Sequence, residues 1–335
     1  MSRSDPETDL VLFPRRHPRL ILPSAVTRRA TAFDFYRPTT IRGRLGRGLL
    51  QYVLVHSRGT WLTANQASTV AHYSNPLAIS CDLLRDVVPK ADLAYFDGWT
   101  GAPGPQRKIV VAARDARGNA LAYVKTNAVR FSTAVHRLAY ETKVLYQLDR
   151  AEIITTPRVL AYHEHGGFAS LAVTALNGVH FRNDAPLDPW RLQFLTRLKG
   201  WSGVLDCTEA SRLLSDRSVR LTLAHGDFTP WNCVLMPGNR LAVFDWEFCG
   251  LRPAGWDACH HEIQSASYFS SGYHRVVPRL RSRLVKALSQ VLSPDDGPPL
   301  AAVERYCSMS MRSDPALPAL TRRGLRLRKL LLQAI

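Results

Sequence analysis

The chain has 335 residues, of which 46 % are hydrophobic and 21 % are charged, and these values are typical of a soluble globular protein with a substantial core. No apolar run reaches the ~18–20 residues that a membrane-spanning helix needs, and the first ten residues lack the apolar segment of a secretory signal. The formal net charge is +17, and most of the excess lies in residues 1–60 and 301–335.

Cysteine usage indicates a reducing compartment. The cysteines are scattered and form no Cys-x-x-Cys pair, which argues against a zinc module or a disulfide framework. We therefore expect a cytoplasmic protein. The six cysteines are Cys81, Cys207, Cys233, Cys249, Cys259 and Cys307.

The basic ends leave more than one interpretation open. They suit contact with nucleic acid, with an anionic membrane or with a phosphorylated substrate, or the arginines are simply solvated. Peripheral contact with the inner membrane face is therefore kept as an alternative, whereas no specific nucleic acid is expected because no binding motif with interleaved aromatics is evident.

Residues 1–91 carry the least pattern, and we expect an N-terminal extension of unknown role there. Within them, Ile41, Leu45, Leu49 and Leu50 recur at helical spacing among arginines. Such a helix either lies on a membrane surface or docks on the core of its own protein. We favour docking on the core.

From residue 92 the pattern becomes that of strands, and it reads β-β-β-α-β-β up to residue 178. A turn at Asp115–Asn119 joins the second and third runs as a hairpin. The predicted strands are Leu93–Phe96, Lys108–Ala113, Ala120–Val124, Arg158–Tyr162 and Ser170–Leu176, and the helix is Ser132–Leu148. After residue 178 the chain is mainly helical, except for a strand-loop segment at 221–248.

That segment places four polar residues at the ends of short apolar strands: His225, Asp227, Asn232 and Asp245. The Pro237-Gly238-Asn239 turn would fold the second strand back beside the first and bring Asp245 near Asn232. One carboxylate and one amide oxygen make a hard-oxygen site suited to Mg²⁺. Asp227 would then lie within reach of metal-bound phosphates.

The same segment carries a family resemblance. His225-Gly-Asp-Phe-Thr-Pro-Trp-Asn232 resembles the catalytic loop of the aminoglycoside phosphotransferase and choline kinase-like family, a variant of the protein-kinase loop H-x-D-x-x-x-x-N. Phe244-Asp245-Trp246-Glu247 resembles the metal-binding segment of these enzymes, with Trp-Glu where protein kinases have Phe-Gly. Leu251–Asp257 resembles the segment that follows it.

The resemblance implies an α+β, two-lobed protein-kinase-like fold and a role for each residue. Asp227 would align the acceptor hydroxyl and take its proton, while Asn232 and Asp245 would hold Mg²⁺ on the triphosphate. Asp257 would hold the catalytic loop by accepting its backbone N–H bonds. We expect His225 to be a hydrogen-bonded scaffold residue, and Glu247 to assist the metal or to be a surface carboxylate.

The resemblance also implies a nucleotide-binding lobe before this segment. Lys125 ends the third strand-like run and would grip the α- and β-phosphates, with Glu141 in the next helix as its ion-pair partner. The backbone of Thr174 and Leu176 would bond the adenine edge. Three glycines lie where a phosphate-covering loop is expected, although their string is not the protein-kinase G-x-G-x-x-G: Gly98, Gly101 and Gly104.

We therefore predict an ATP-dependent small-molecule kinase, with GTP as an alternative donor, that phosphorylates a hydroxyl of a sugar, amino sugar or amino alcohol. Its parts would be an extension at 1–91, a nucleotide-binding lobe at 92–178 and a mainly helical catalytic lobe at 179–335. The basic charge disfavours a polycationic acceptor and suits an acidic or phosphorylated one. An inactive scaffold of the same fold and a nucleic-acid-binding protein are the alternatives.

Overall fold

The computed structural model of the chain describes residues 10–13, 19–23, 30–33, 41–56, 67–100, 108–128, 132–182, 184–201, 219–270, 273–312 and 322–335. These residues belong to two compact units. The first unit comprises Met1–Lys143 and Pro157–Asn177, and the second comprises Val144–Thr156 and Gly178–Ile335. The predicted extension, residues 1–91, lies entirely within the first unit.

The first unit is built on an antiparallel sheet of seven described strands in the order β1-β2-β3-β4-β5-β7-β6. Its strands are β1 (Leu10–Phe13), β2 (Leu20–Pro23), β3 (Tyr95–Trp99), β4 (Ile109–Arg114), β5 (Ala120–Ala128), β6 (Val159–His165) and β7 (Phe168–Thr174). Three helices accompany it along the chain: α1 (Ile41–His56), α2 (Ala67–Val87) and α3 (Ser132–Ala151), of which α3 continues into the second unit.

The order of strands and helix predicted for residues 92–178 is confirmed, with the starts at Ala120 and Ser132 as predicted and the other boundaries shifted by one to four residues. The sheet is larger than predicted, because β2 pairs with β3 and carries β1 with it. Helix α2 covers the sheet with Leu77, Cys81 and Leu84, which pack in one cluster with strand residues such as Phe96 and Val124. The described part of the first ninety residues therefore contributes to the core of this unit.

Helix α1 departs from our expectation for its apolar residues. Leu45 and Leu49 remain 71 % and 67 % exposed, and Tyr52 on the same face is 62 % exposed. The prediction that this stripe docks on the core is therefore wrong for these leucines. Leu50, which belongs to the same predicted stripe, does contact the small cluster around Phe33, so the exposed apolar face of α1 consists of Leu45, Leu49 and Tyr52.

A buried ion pair ties the neighbouring strands β3 and β4 together. The Arg114 guanidinium donates to both carboxylate oxygens of Asp97 at 2.9 Å and to the backbone carbonyls of Gly118 and Thr31. Because both charged groups are almost fully buried, their mutual hydrogen bonds offset the cost of desolvation.

The second unit is mainly helical. Its helices are α4 (Pro189–Lys199), α5 (Trp256–Phe269), α6 (Tyr273–Val291), α7 (Pro299–Arg312) and α8 (Arg322–Gln333). Two small antiparallel sheets accompany them: β8 (Val179–His180) with β10 (Cys233–Met236) and β11 (Arg240–Val243), and β9 (Leu221–Ala224) with β12 (Gly250–Pro253). The predicted α+β class, with one sheet-based part and one mainly helical part, is confirmed.

Helix α5 is the centre of the second unit. Twelve of its fourteen residues are buried, which is unusual for a sequence that contains Asp257, His260, His261 and Glu262. Such polar groups need internal partners when they are removed from water. Two of these residues, Asp257 and His260, have their hydrogen-bond partners in the candidate site described below.

Five cysteines fall within the described residues, and all are free and buried. Burial raises the pKa of Cys81 and of Cys307 to about 12, so these thiols stay protonated. Cys207 lies outside the described residues. None of the described helices has the length and apolar character that crossing a bilayer requires.

Candidate active site

The hairpin of β10 and β11 joins the two predicted metal-binding residues. Cys233 pairs with Val243, and the Phe244 amide donates to the Asn232 carbonyl at 3.1 Å. The residue before β10 therefore faces the residue after β11. The turn with Gly238 and Asn239 at positive φ reverses the chain as the sequence predicts. Asn232 and Asp245 are therefore held close together by backbone pairing.

Asn232 is oriented by Asp227. Its side-chain Nδ2 donates to the Asp227 carbonyl at 2.9 Å and to the carboxylate Oδ2 at 3.1 Å. Because the amide nitrogen is used in this way, the amide oxygen is the atom that can serve as a metal ligand. Asn232 is buried and Asp227 is half-buried, so the carboxylate keeps access to solvent.

Asp245 has a backbone conformation that is rare for a residue with a side chain. Its φ and ψ are 70° and 57°, in the left-handed region, and a short helical turn starts directly after it at Trp246. Such a conformation costs free energy and persists where the surroundings impose it, often at functional sites. Glu247 lies within this turn and is half-buried.

Asp257 fixes the start of the predicted catalytic loop, His225–Asn232. Its carboxylate accepts the backbone N–H of His225 at 2.6 Å and that of Gly226 at 2.9 Å. Burial raises the pKa of Asp257, and the nearby His225 together with these two amide bonds opposes that rise. The geometry is the one that the resemblance implies for this residue.

His225 is fully buried and connects two loops. Its Nδ1 accepts the Asp227 amide at 3.3 Å, so its other ring nitrogen, Nε2, donates to the Phe244 carbonyl at 3.0 Å. Its ring packs edge-on against Trp246 with centroids 4.6 Å apart. His225 thus links the loop of Asp227 to the loop of Asp245 by hydrogen bonds and by packing.

The donor set suits a hard cation that also binds phosphate. The described residues contain no group of three or more His, Cys, Asp or Glu side chains arranged to hold a metal ion. Mg²⁺ characteristically binds one or two protein oxygens and completes its coordination with phosphate and water. One carboxylate and one amide oxygen, from Asp245 and Asn232, fit that requirement.

In the first unit, Lys125 and Glu141 form an ion pair. The Lys125 ammonium lies 2.7 and 2.9 Å from the two carboxylate oxygens of Glu141, and both side chains are largely buried. Strand β5 supplies the lysine and α3 the glutamate. The structure brings these two predicted residues together, and their role toward a nucleotide stays a prediction.

The other predicted nucleotide residues are less informative. Gly98 lies inside β3, where a Cβ would overlap the carbonyl oxygen of Val110, so strand packing alone explains this glycine. Gly101 and Gly104 lie outside the described residues. The Thr174 amide already donates to the Arg158 carbonyl at 2.9 Å, and Leu176 follows the end of β7.

Two sets of residues near Asp227 were missed by the sequence analysis. His260 on α5 contacts the Asp227 carboxylate, with Nε2 2.9 Å from Oδ1. Its position three residues after Asp257, on the same helix face, is the signal that could have revealed it.

The second set is an aromatic cluster in which Trp231 packs against Tyr268 and Phe269, with ring centroids 5.7 and 6.2 Å apart. The charge of Asp227 adds to burial in raising the pKa of Tyr268, which places this cluster beside the loop.

These features match the arrangement that the resemblance to protein-kinase-like phosphotransferases implies for these residues. A model of the phosphotransferase enzyme family, known as APH, matches residues 184–302, which contain this entire loop region. The predicted family resemblance is thereby confirmed for this part of the chain. No curated protein is similar enough in sequence to count as a match.

The solved structures that resemble this chain are distant from it. An aminoglycoside phosphotransferase from Streptomyces rimosus has 15 % identity, covering 70 % of this chain and 92 % of its own, with a TM-score of 0.43. A choline kinase from Streptococcus pneumoniae has 11 % identity, 78 % and 98 % coverage and a TM-score of 0.44. An amicoumacin kinase bound to AMP-PNP and Ca²⁺ has 11 % identity, 81 % and 96 % coverage and a TM-score of 0.43. No conclusion about substrate follows from likeness at this level.

Proposed function

We propose that this chain transfers the γ-phosphoryl group of ATP, or of GTP, to a hydroxyl of a small acceptor. The observation that carries the proposal is the arrangement around Asn232, whose amide nitrogen binds Asp227 while the β10–β11 hairpin holds Asp245 beside it. The Asp227 carboxylate, the Asn232 amide oxygen and the Asp245 carboxylate are thus held within one loop region.

Phosphoryl transfer depends mainly on positioning and on neutralising charge. Asp227 would accept a hydrogen bond from the acceptor hydroxyl, orient its oxygen toward the γ-phosphorus and receive the proton late in the reaction. Asn232 and Asp245 would hold Mg²⁺, which supplies positive charge to the phosphate oxygens when bound. Glu247 would support this pair from the same turn.

The nucleotide would be held by the first unit. Lys125 is presented by its ion pair with Glu141, so its ammonium would meet the α- and β-phosphates in a fixed position. The backbone donors and acceptors of Thr174 and Leu176 would contact the nucleobase. The Thr174 amide is excepted, because it already donates to the Arg158 carbonyl. Gly98, Gly101 and Gly104 would accompany a loop over the phosphates.

The acceptor class is suggested by the aromatic cluster beside Asp227. The faces of Trp231, Tyr268 and Phe269 suit the apolar face of a sugar ring or the ammonium of an amino alcohol. The net charge of +17 favours an acceptor without several positive charges of its own. A sugar, an amino sugar or an amino alcohol therefore remains the proposed substrate class.

The decisive experiment is calorimetric titration of ATP with and without Mg²⁺. We expect Mg-dependent binding by the wild type and a loss of at least about tenfold in affinity for Asp245→Asn, because a charged metal ligand is removed. Asp149→Asn, which removes an exposed carboxylate from α3, is the matched control. Glu247→Gln decides whether that residue contributes to metal binding.

Absence of ATP binding by folded wild-type protein would contradict the proposal and favour a catalytically inactive scaffold. Equal Mg-dependent affinity of the wild type and Asp245→Asn would contradict the proposed metal site. Once binding is established, an acceptor screen with sugars, amino sugars and amino alcohols would identify the substrate by ADP release.

A cytoplasmic location with peripheral membrane contact is also proposed. The observation that favours contact is the solvent-facing apolar stripe of α1, formed by Leu45, Leu49 and Tyr52 in a helix whose sequence contains Arg42, Arg44 and Arg47. A helix with exposed apolar residues and adjacent arginines suits the surface of an anionic bilayer.

A further inference from the structure

A chain of hydrogen bonds runs from the Asp227 carboxylate into the helical core of the second unit. His260 Nε2 on α5 lies 2.9 Å from Asp227 Oδ1, and the hydroxyl of Tyr306 on α7 lies 3.0 Å from His260 Nδ1. Arg328 Nη2 on α8 lies 2.8 Å from that same hydroxyl. Three helices therefore contribute one residue each to a line that ends on the proposed base.

The chemistry of the groups gives this line one direction. A guanidinium only donates hydrogen bonds, so the Tyr306 oxygen accepts from Arg328 and its own proton points to His260 Nδ1. Burial raises the pKa of Tyr306 to about 12, the charge of Arg328 opposing the rise, so the phenol keeps that proton. Nδ1 of His260 is then an acceptor, and the ring proton lies on Nε2, facing Asp227.

The far end of the line is rigid. Arg328 is 2 % exposed, and its Nε donates to the Ser310 hydroxyl at 2.9 Å. The Tyr306 ring packs on Trp256 and on His260 with centroids 4.8 and 6.1 Å apart. With the phenol proton directed at Nδ1, the ring proton of His260 lies on Nε2.

The near end fixes the orientation of the base. Oδ1 of Asp227 accepts from His260, and Oδ2 accepts from Asn232 at 3.1 Å, so the carboxylate cannot rotate without losing one of these bonds. A carboxylate oxygen has two lone pairs, which leaves a defined direction in which an acceptor hydroxyl can bind. Orientation of this group is the main contribution that a base makes to a loose transition state.

We propose that His260 is the positioning residue of Asp227, and that Tyr306 and Arg328 select the histidine tautomer that does this. The inference rests on the proposed function. During transfer, the acceptor O–H bond breaks and its proton moves to Asp227, the oxygen bonds to the γ-phosphorus, and the bond to the bridging oxygen breaks to release ADP. His260 keeps its Nε2 proton throughout.

The charged and titratable groups that face His260 come from four places: Asp227 in the loop after β9, Asp257 and His261 on α5, Tyr306 on α7 and Arg328 on α8. Of these, His261 has its pKa lowered well below the usual value, mainly by burial, and remains neutral. The tautomer of His260 is therefore decided by Asp227 on one side and Tyr306 on the other.

The first test is a spectroscopic one that needs no activity. In the full chain labelled with ¹⁵N-histidine, we expect His260 to show the neutral Nε2–H tautomer at neutral pH, assigned by its loss in His260→Phe. Tyr306→Phe keeps the ring and removes the donor, so the same signals should move toward a tautomer mixture. A proton on Nδ1 of His260 in the wild type would overturn the proposal.

The second test measures Mg-dependent ATP hydrolysis, in which water is the acceptor. His260→Phe should lower kcat by about 10- to 100-fold with the KM for ATP changed less than about twofold, because an orienting partner and not a binding group is lost. His260→Gln, which retains an N–H donor, should recover part of the rate. Tyr146→Phe on the exposed face of α3 is the control.

The outcomes separate the two proposals. An active wild type with unchanged kcat in His260→Phe would overturn the positioning role and leave the kinase intact. A wild type that neither binds nor hydrolyses ATP would overturn the proposed function and the positioning role with it, whatever the tautomer.

Discussion

Gly226 lies between two predicted site residues, His225 and Asp227, in a conformation that a side chain would not tolerate. Its φ is +86°, and a Cβ would overlap the backbone carbonyl oxygen of Phe248. Both the backbone conformation and the close approach of the two loops therefore require glycine. The requirement couples the predicted catalytic loop to the loop that carries Asp245.

We expect Gly226→Ala to destabilise the protein by about 3 kcal/mol or more and to reduce Mg-dependent ATP binding, because the loop must move away from Phe248. Gly250→Ala is the matched control, since Gly250 has ordinary φ and a Cβ there would have no neighbour within 4 Å. Urea unfolding of both variants measures the difference. Equal stability of the two would show that the loops separate without cost.

At the residue scale, the site residues that lie close together in sequence were predicted, whereas those that reach the site by tertiary packing were not. His225, Asp227 and Asn232 lie within eight residues, and a single turn brings Asp245 to them, so the sequence contains that part of the site. His260 becomes part of it only because α5 packs under the loop, and Tyr306 and Arg328 come from helices 46 and 68 residues further along the chain. No local pattern indicates which buried face those residues occupy.

At the scale of elements, Asp296 joins α4 to the connection between α6 and α7. Its carboxylate accepts from Lys199 at the end of α4 at 2.8 Å and from the amide and hydroxyl of Ser293. Burial alone would raise the pKa of Asp296, but the bonds from Lys199 and Ser293 outweigh it and lower the pKa from 3.8 to about 2.

A folded-state pKa below the unfolded one means that the ionised carboxylate stabilises the fold. This contribution is complete above about pH 5 and is lost as the pH falls through 3.8 toward about 2. Its size at neutral pH is on the order of 2 kcal/mol. We expect Asp296→Asn to be destabilised by about that amount at pH 7 and by about half as much at pH 3, as measured by urea unfolding.

Asp295→Asn is the control for this prediction, because the neighbouring carboxylate is exposed. It should change the free energy of unfolding by less than about 0.5 kcal/mol at either pH. A destabilisation of Asp296→Asn that does not depend on pH would show that the hydrogen-bond geometry matters and the charge does not.

Among the strands and helices, sequence patterns predicted some elements and missed others. Strands β3 to β7 were predicted because each has an apolar run between clear turns, and their pairing follows chain order for the hairpins. Strands β1 and β2 have four residues each and lie far from β3 in sequence, so nothing local indicates that they extend the sheet. For α1 the helical spacing was recognised, but spacing does not reveal which face of a helix is covered.

At the scale of the whole molecule, the charge of +17 and the stripe of Leu45, Leu49 and Tyr52 lead to one prediction about membranes. Electrostatic attraction brings a basic protein to an anionic surface, and burial of apolar side chains in the interface then adds to the affinity. Neither contribution alone gives stable binding. Salt screens the electrostatic attraction, and the apolar area that one helix can bury is small.

We therefore expect the full chain to sediment with vesicles that contain about one third phosphatidylserine and to be released at high salt, while phosphatidylcholine vesicles retain little of it. Leu45→Ser combined with Leu49→Ser should weaken binding by about tenfold or more without changing the charge, because two side chains lose their contact with the interface. Leu160→Ser, an exposed leucine on β6, is the control. Unchanged binding of the double variant would show that charge alone causes the membrane binding. A preference for duplex nucleic acid over vesicles, with a steep dependence on salt, would favour a nucleic acid as the partner of the basic ends.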